Sequence, residues 1–209
     1  EVLALSLDAC DSWRKRGLDL TISVNLSVTS LLDQALPDDV AHLLSERGLP
    51  SSVLMLELTE GSIMTESRRS VRVLSALDEM GVQLSIDDFG TGYSSLSHLR
   101  RLPISEIKID RSFVAGLAVD EHDAVIVRTT IDLGHHLGLR VVAEGAETVG
   151  TMDSLRDMGC DVAQGFVISR PRPAASLDTW LRGQEVVQLG ALHPTSLDVH
   201  RARKPRAAI

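Results

Sequence analysis

Cysteine is nearly absent: there are two in 209 residues. Cys10 and Cys160 stand too far apart for metal-ligand or redox spacing, which excludes a zinc knot or a dithiol motif and suits a reducing compartment. Long apolar runs are missing as well, and none approaches the roughly 18–20 residues of a membrane span. The amino terminus, Glu1-Val2-Leu3-Ala4, has neither the basic start nor the cleavage pattern of a signal peptide. These absences predict a soluble cytoplasmic domain with no membrane span. Basic charge is scarce too. Lys and Arg number 21 against 29 Asp and Glu, for a formal net charge of -8. Four of the basic residues, Arg201, Arg203, Lys204 and Arg206, lie beyond the last acidic one, Asp198. Such an acidic body is a poor general binder of nucleic acid, and if it holds a phosphate a metal has to mediate. What is present is 44% hydrophobic residues at a mean hydropathy of +0.08, enough for a globular core. The expected organisation is one domain over residues 1–184 and a basic, disordered tail over 185–209.

Periodicity predicts a regular alternation. Residues 20–26, 53–58, 82–86, 104–109, 140–143 and 161–164 read as strands. Helices are expected from the start to Gly17, then over 38–47, 66–80, 94–101, 120–137, 149–158 and 174–182. Gly48, Gly81, Gly138 and Gly159 supply stops, and Asp120 an N-cap. Six strand-then-helix units argue for a parallel sheet, either doubly wound or rolled into a barrel.

The chain is organised around Ile86-Asp87-Asp88-Phe89-Gly90-Thr91-Gly92-Tyr93-Ser94-Ser95-Leu96. Adjacent strand residues point to opposite faces, so Asp87 and Asp88 diverge unless the backbone turns between them. Two carboxylates gathered at a strand end repel each other unless a cation or proton lies between, which suits a hard metal with oxygen ligands. An Asp-rich turn capping the next helix is the ordinary alternative. Polar residues also mark the other strand ends: Asn25, Glu57, Lys108, Glu144 and Gln164, one per unit. In a (β/α) barrel the strand ends ring a single site, whereas a doubly wound sheet concentrates function at one switch point. The barrel is therefore the expected α/β fold, with about six strands.

Ser23-Val-Asn-Leu-Ser27, Glu57-Leu-Thr-Glu60, Asp87-Asp-Phe-Gly-Thr-Gly-Tyr-Ser-Ser-Leu96, Lys108-Ile-Asp110, Ala143-Glu-Gly-Ala-Glu-Thr148 and Gln164-Gly165 together resemble the EAL-domain family of bacterial cyclic-di-GMP phosphodiesterases. The resemblance runs from about residue 5 to residue 175 in the family's order. It implies an incomplete TIM-type barrel that linearises cyclic-di-GMP to 5′-pGpG with two Mg²⁺ or Mn²⁺ ions. By resemblance, Asn25, Glu57, Asp87 and Glu144 are metal ligands, and Asp88 is shared with the second metal. Lys108 orients or deprotonates the attacking water, Gln164 holds that water or a metal-bound group, and Glu147 braces the Asp-Asp loop. Phe89, Gly90, Thr91, Gly92, Tyr93 and Ser94 form that loop beside a homodimer contact. Fusion or pairing with sensor or diguanylate cyclase domains is a further implication.

Singly, each position has an ordinary role. Asn25 suits a turn, Glu57 and Glu60 a helix start, Lys108 an ion pair with Asp110, and Glu144 and Glu147 a helix entry. Together they leave one polar residue per strand end unexplained. His135 and His136 diverge on a helix and read as surface or core histidines, and Trp13 and Trp180 as packing residues. The Glu-Ala-Leu signature and the arginine after it are absent; in the family they lie upstream, on the first two of eight strands. An inactive domain that binds cyclic-di-GMP or a protein is the alternative. An unrelated barrel enzyme of enolase type ranks behind, because it does not account for the Asp-Phe-Gly-Thr-Gly loop.

Overall fold

A computed structural model describes residues 1–64, 68–92, 99–117, 119–177 and 179–181. The chain divides into two units, Glu1–Pro171 and Arg172–Ile209. In the second, residues 174–177 and 179–181 are helical and the Arg172 guanidinium lies 5.5 Å from the Trp180 ring centroid. The expected tail, 185–209, lies outside the described residues.

The first unit is built on six parallel strands: β1 (Ile22–Asn25), β2 (Leu54–Thr59), β3 (Gln83–Phe89), β4 (Glu106–Ile109), β5 (Arg140–Glu144) and β6 (Val162–Gln164). Their spatial order is their chain order, which is the winding of a (β/α) barrel rather than of a doubly wound sheet. The strands form a half-barrel flanked by helices. These are α1 (Val2–Lys15), α2 (Val28–Leu31), α3 (Leu36–Glu46), α4 (Glu60–Met64), α5 (Arg68–Glu79), α6 (Arg111–Gly116), α7 (Glu121–His136) and α8 (Val149–Asp157). None of the described helices is long and apolar enough to cross a membrane.

The two faces of the sheet differ. Leu54, Leu56, Leu58, Leu84, Ile86, Ile107, Ile109 and Val141 turn outward and form one core with Leu7, Val40, Leu44, Leu77, Ile131 and Leu155 of the helices. Helix α7 comes close to the sheet because Gly134 faces β4 and β5. A Cβ there would collide with Val141 and lie 3.0 Å from Ile107. The inner face carries Ser23, Met55, Glu57, Gln83, Glu106, Lys108, Val142, Val162 and Gln164, which line one cavity.

Most expected boundaries lie within a few residues of the observed ones, and Asp120 and Thr148 cap α7 and α8 by accepting amide protons from His122 and Thr151. Some local features depart from expectation, among them the short helices α2 and α4, which no expected helix covers. Strand β3 continues through both aspartates to Phe89 instead of stopping before them. Helix α6 was not anticipated; Asp110 caps it by accepting the Ser112 amide proton at 2.9 Å. The helix expected over 94–101 falls mainly outside the described residues. Trp13 is buried, as a packing residue should be. His135 and His136 diverge, the first pairing with Asp161 and the second with the Asp132 carbonyl.

Candidate metal and phosphodiester site

The site begins with a fault in β3. Ser85 and Ile86 pair with Glu106 and Ile107, but Phe89 pairs with Ile109, so three steps on β3 match two on β4. That bulge absorbs one residue, and Asp88 takes it up at φ +55°, a left-handed conformation that aspartate tolerates better than most residues. The backbone thus turns between the two aspartates. Asp87, Asp88 and Glu144 each offer a carboxylate oxygen, and these oxygens lie within 4.8 Å of one another. Hard divalent cations take oxygen ligands at about 2.0–2.6 Å, so one ion fits among the three.

Beside them stands Lys108, 5% exposed at the end of β4. Its Nζ lies 2.5 Å from Glu144 Oε1, 3.1 Å from Glu57 Oε1 and 3.2 Å from Asp87 Oδ1. Burial disfavours the ammonium, but the hydrogen bond to Glu144 and the charges of Glu57, Glu144 and Asp87 outweigh it and hold its pKa above the usual lysine range. Two of the carboxylates are raised as well, which in their case disfavours the charged form. Burial pushes Glu144 up despite its bond to Lys108, with Asp87 and Glu57 adding to the rise. Asp88 is raised by burial, then by Asp87 and by Asp110, with which it is hydrogen-bonded. Asp110 itself is held low in spite of burial, because the hydroxyl and amide of Ser112 and the bond with Asp88 stabilise its charge. Four carboxylates (Glu57, Asp87, Asp88 and Glu144) against one ammonium leave a formal charge of -3 in this pocket.

The loop after Asp88 is held from below. Glu60, 2% exposed at the start of α4, accepts the amide protons of Gly90 and Gly92 on Oε2, at 3.0 and 3.1 Å. Gly90 sits at φ +103° against Phe113, whose ring a Cβ would approach to 3.0 Å. A carboxylate that accepts from two amides two residues apart makes strong bonds, so Glu60 fixes the path of Gly90–Gly92. Among the described residues these two bonds come from Glu60, while Glu147, the expected brace, is exposed three residues past the end of β5. Asp110, which in the ordinary alternative would pair with Lys108, meets Asp88 and Ser112 instead.

Of the remaining residues singled out in the sequence, Asn25 ends β1 next to Glu57 in register and is exposed. Gln164 ends β6 opposite Glu144 and lines the cavity. Phe89 is buried, Thr91 donates its hydroxyl to the Asp88 carbonyl at 2.9 Å, and Tyr93 and Ser94 lie outside the described residues. Glu60, Asp110 and Glu106 are the acidic residues whose placement the sequence did not reveal.

A parallel half-barrel carries an acidic, lysine-centred cluster at the carboxyl ends of its strands, where barrel sites lie, and its oxygen donors suit a hard cation. The EAL domain family model matches residues 2–171, and the chain belongs to that family. It is 47% identical over 166 residues to the bifunctional diguanylate cyclase/cyclic di-GMP phosphodiesterase MucR of Pseudomonas aeruginosa, covering 79% of this chain and 24% of MucR. It is 43% identical over 163 residues to the cyclic di-GMP phosphodiesterase NbdA of the same organism, covering 78% of this chain and 21% of NbdA. The chain thus spans about a quarter of the length of these curated relatives. The solved structure of the MucR phosphodiesterase in complex with c-di-GMP matches with a TM-score of 0.80 at 45% identity, covering 84% of this chain and 72% of that one. The EAL domain of Mycobacterium smegmatis DcpA matches with a TM-score of 0.83 at 38% identity, covering 87% and 82%.

Proposed function

We propose that this chain is the larger part of a cytoplasmic, metal-dependent cyclic-di-GMP phosphodiesterase domain that hydrolyses cyclic-di-GMP to 5′-pGpG. The observation that carries the reading is the excess of carboxylate around Lys108. A half-buried pocket with formal charge -3 repels a phosphodiester, so an anionic substrate enters only together with cations. The named activities of MucR and NbdA support the same chemistry.

Asn25, Glu57, Asp87 and Glu144 would hold one Mg²⁺ or Mn²⁺ ion, and Asp88 would share a second with Asp87. When bound, such ions neutralise the phosphodiester and make water a nucleophile at neutral pH. The remaining work falls to the chain. Lys108 Nζ, already within 3.2 Å of three carboxylates, orients the attacking water or steadies a phosphoryl oxygen. As a cation in this structure, its first role is as a donor; accepting a proton would require its pKa to fall. Gln164 supplies an amide from β6 on the far side of Glu144. Glu60 and Phe113 keep the Asp-Asp loop in place so that both aspartates face one centre. A homodimer through that loop, and fusion to sensor or diguanylate cyclase domains, complete the proposal.

The test is product chromatography on the complete protein with cyclic-di-GMP and Mg²⁺ or Mn²⁺. Formation of 5′-pGpG that stops with a chelator is the expected result. Tight nucleotide binding without product would instead establish the inactive receptor.

A further inference from the structure

Glu106 is a buried carboxylate that the chemistry above leaves unused. It precedes Lys108 by two residues on β4, so both side chains share the inner face and line the same cavity. Ser85 is its register partner on β3 and Arg140 its register partner on β5, so the three form one lateral row. Ser85 Oγ donates to Glu106 Oε1 at 3.0 Å, and Arg140 Nε lies 3.6 Å from Glu106 Oε2. The row underlies the site: Ser85 precedes Asp87 by two residues, and Arg140 precedes Glu144 by four on the same face. Lys108 therefore has a fourth carboxylate close by, yet its ion pairs are with Glu57, Asp87 and Glu144. A buried carboxylate deprived of its partner seeks the nearest cation, because leaving it unpaired is strongly unfavourable. For Glu106 that cation is the long, flexible Lys108.

We infer that Ser85, Glu106 and Arg140 form a positioning row. By holding the Glu106 carboxylate sideways, Arg140 and Ser85 leave the Lys108 ammonium with the three carboxylates at the strand ends. The inference rests on the proposed phosphodiester chemistry for its kinetic consequence but not for its structural one. The row makes an asymmetric prediction. Arg140 is half exposed and can turn to water when Glu106 is neutralised, whereas Glu106 is buried and cannot when Arg140 is lost.

The experiment compares R140M, E106Q, E106Q/R140M and R140K in the complete protein, by turnover of cyclic-di-GMP and by crystal structure. R140M should lower kcat about tenfold with KM within about twofold, because ground-state binding is untouched. E106Q should stay within about threefold of wild type, and E106Q/R140M should match E106Q rather than R140M. R140K, which keeps the cation, should follow wild type. In the R140M crystal structure Lys108 Nζ should sit within hydrogen-bond reach of Glu106 and away from Glu144. Should R140M not fold, R140Q takes its place with the same expectations. A double variant no better than R140M, or an Nζ that stays on Glu144, overturns the row. Absence of turnover in the wild-type protein rejects the proposed function alone, and the Nζ position then decides the row.

Discussion

The two faces of one sheet obey different rules here. On the outer face, Leu56, Leu84, Ile107 and Val141 are fully or almost fully buried against helices, and any well-shaped hydrophobe of similar volume would satisfy the position. On the inner face, Glu57, Ser85, Glu106 and Lys108 are buried too, but each is defined by one to three partners at hydrogen-bond or ion-pair distance. The first face stabilises the fold by removing apolar area from water, roughly in proportion to that area. The second concentrates like charges, which opposes folding until a cation enters. Burial alone therefore does not distinguish structural from functional positions in this protein; the identity of the neighbours does.

The sharpest way to break the comparison is to change one inner-face atom and one outer-face side chain. D87N removes a formal charge from the centre of the carboxylate cluster with almost no change of shape. It should reduce turnover of cyclic-di-GMP by about 10³-fold or more, the scale of roughly 4 kcal/mol of lost transition-state stabilisation. Its thermal stability without metal should be equal to or better than wild type, because a repulsive charge has gone. Near-normal turnover of D87N would remove Asp87 from the site. On the other face, L84A should cost about 2–5 kcal/mol of stability through transfer and cavity terms. Mg²⁺ should stabilise L84A by the same increment as wild type, measured as the shift in melting temperature, since the metal binds the opposite face. A lost metal response in L84A would mean that the faces are coupled and the division drawn here is wrong.

The loop brace gives an intermediate effect. E60A leaves the amides of Gly90 and Gly92 without their acceptor and should lower metal affinity or turnover by about 10–100-fold, the usual range for residues that orient ligands. E147A should change both by no more than about twofold if Glu60 is the brace. Parallel measurement of the two variants by titration calorimetry with Mn²⁺ decides between the carboxylates, and equal losses would restore a share of the bracing to Glu147.

How much of this could be read from residues alone divides along the same line. The outer face announces itself by alternation in short windows such as Val53 to Leu58, and the strand order follows from the even beat of helices. The polar strand ends were equally legible, because each is a local exception to an apolar run. What was hidden depends on register. The bulge between Ile86 and Phe89 is set by pairing with partners on β4 that lie 20 or 21 residues away, and no local signal separates it from a strand that simply ends. Helix α6 is six residues long, too short for a periodic stripe, although Asp110 and Ser112 mark its start. Glu60 was legible as a helix-start acid, and it is one, but its bonds to a loop thirty residues on are not written near it. Glu106 hid as one member of an alternating strand.

The smallest effect is the most diagnostic of the inner face as an electrostatic object. Burial pushes the Glu106 carboxyl up, against the opposing influence of Arg140 and Ser85. A carboxyl with a raised folded-state pKa takes up its proton in the folded protein before the unfolded one. Between its folded value and the ordinary glutamate value near 4.3, the folded state therefore binds more protons, and stability rises as pH falls through that window. Below the ordinary value the gain is complete, and above the folded value it is absent. E106Q lacks the titrating group and should show no such contribution. The unfolding free energy of wild type minus that of E106Q, from urea titrations without metal, should thus increase as pH is lowered from neutrality towards 4.5. The window avoids the loop carboxylates only if the difference is taken at each pH, because Asp88 and Glu144 move in the same direction in both proteins. A difference that stays flat would mean that Arg140 and Ser85 fully compensate the burial, leaving Glu106 charged down to its ordinary value. A difference that falls would place it below that value, making the ion pair with Arg140 stronger than its 3.6 Å separation implies.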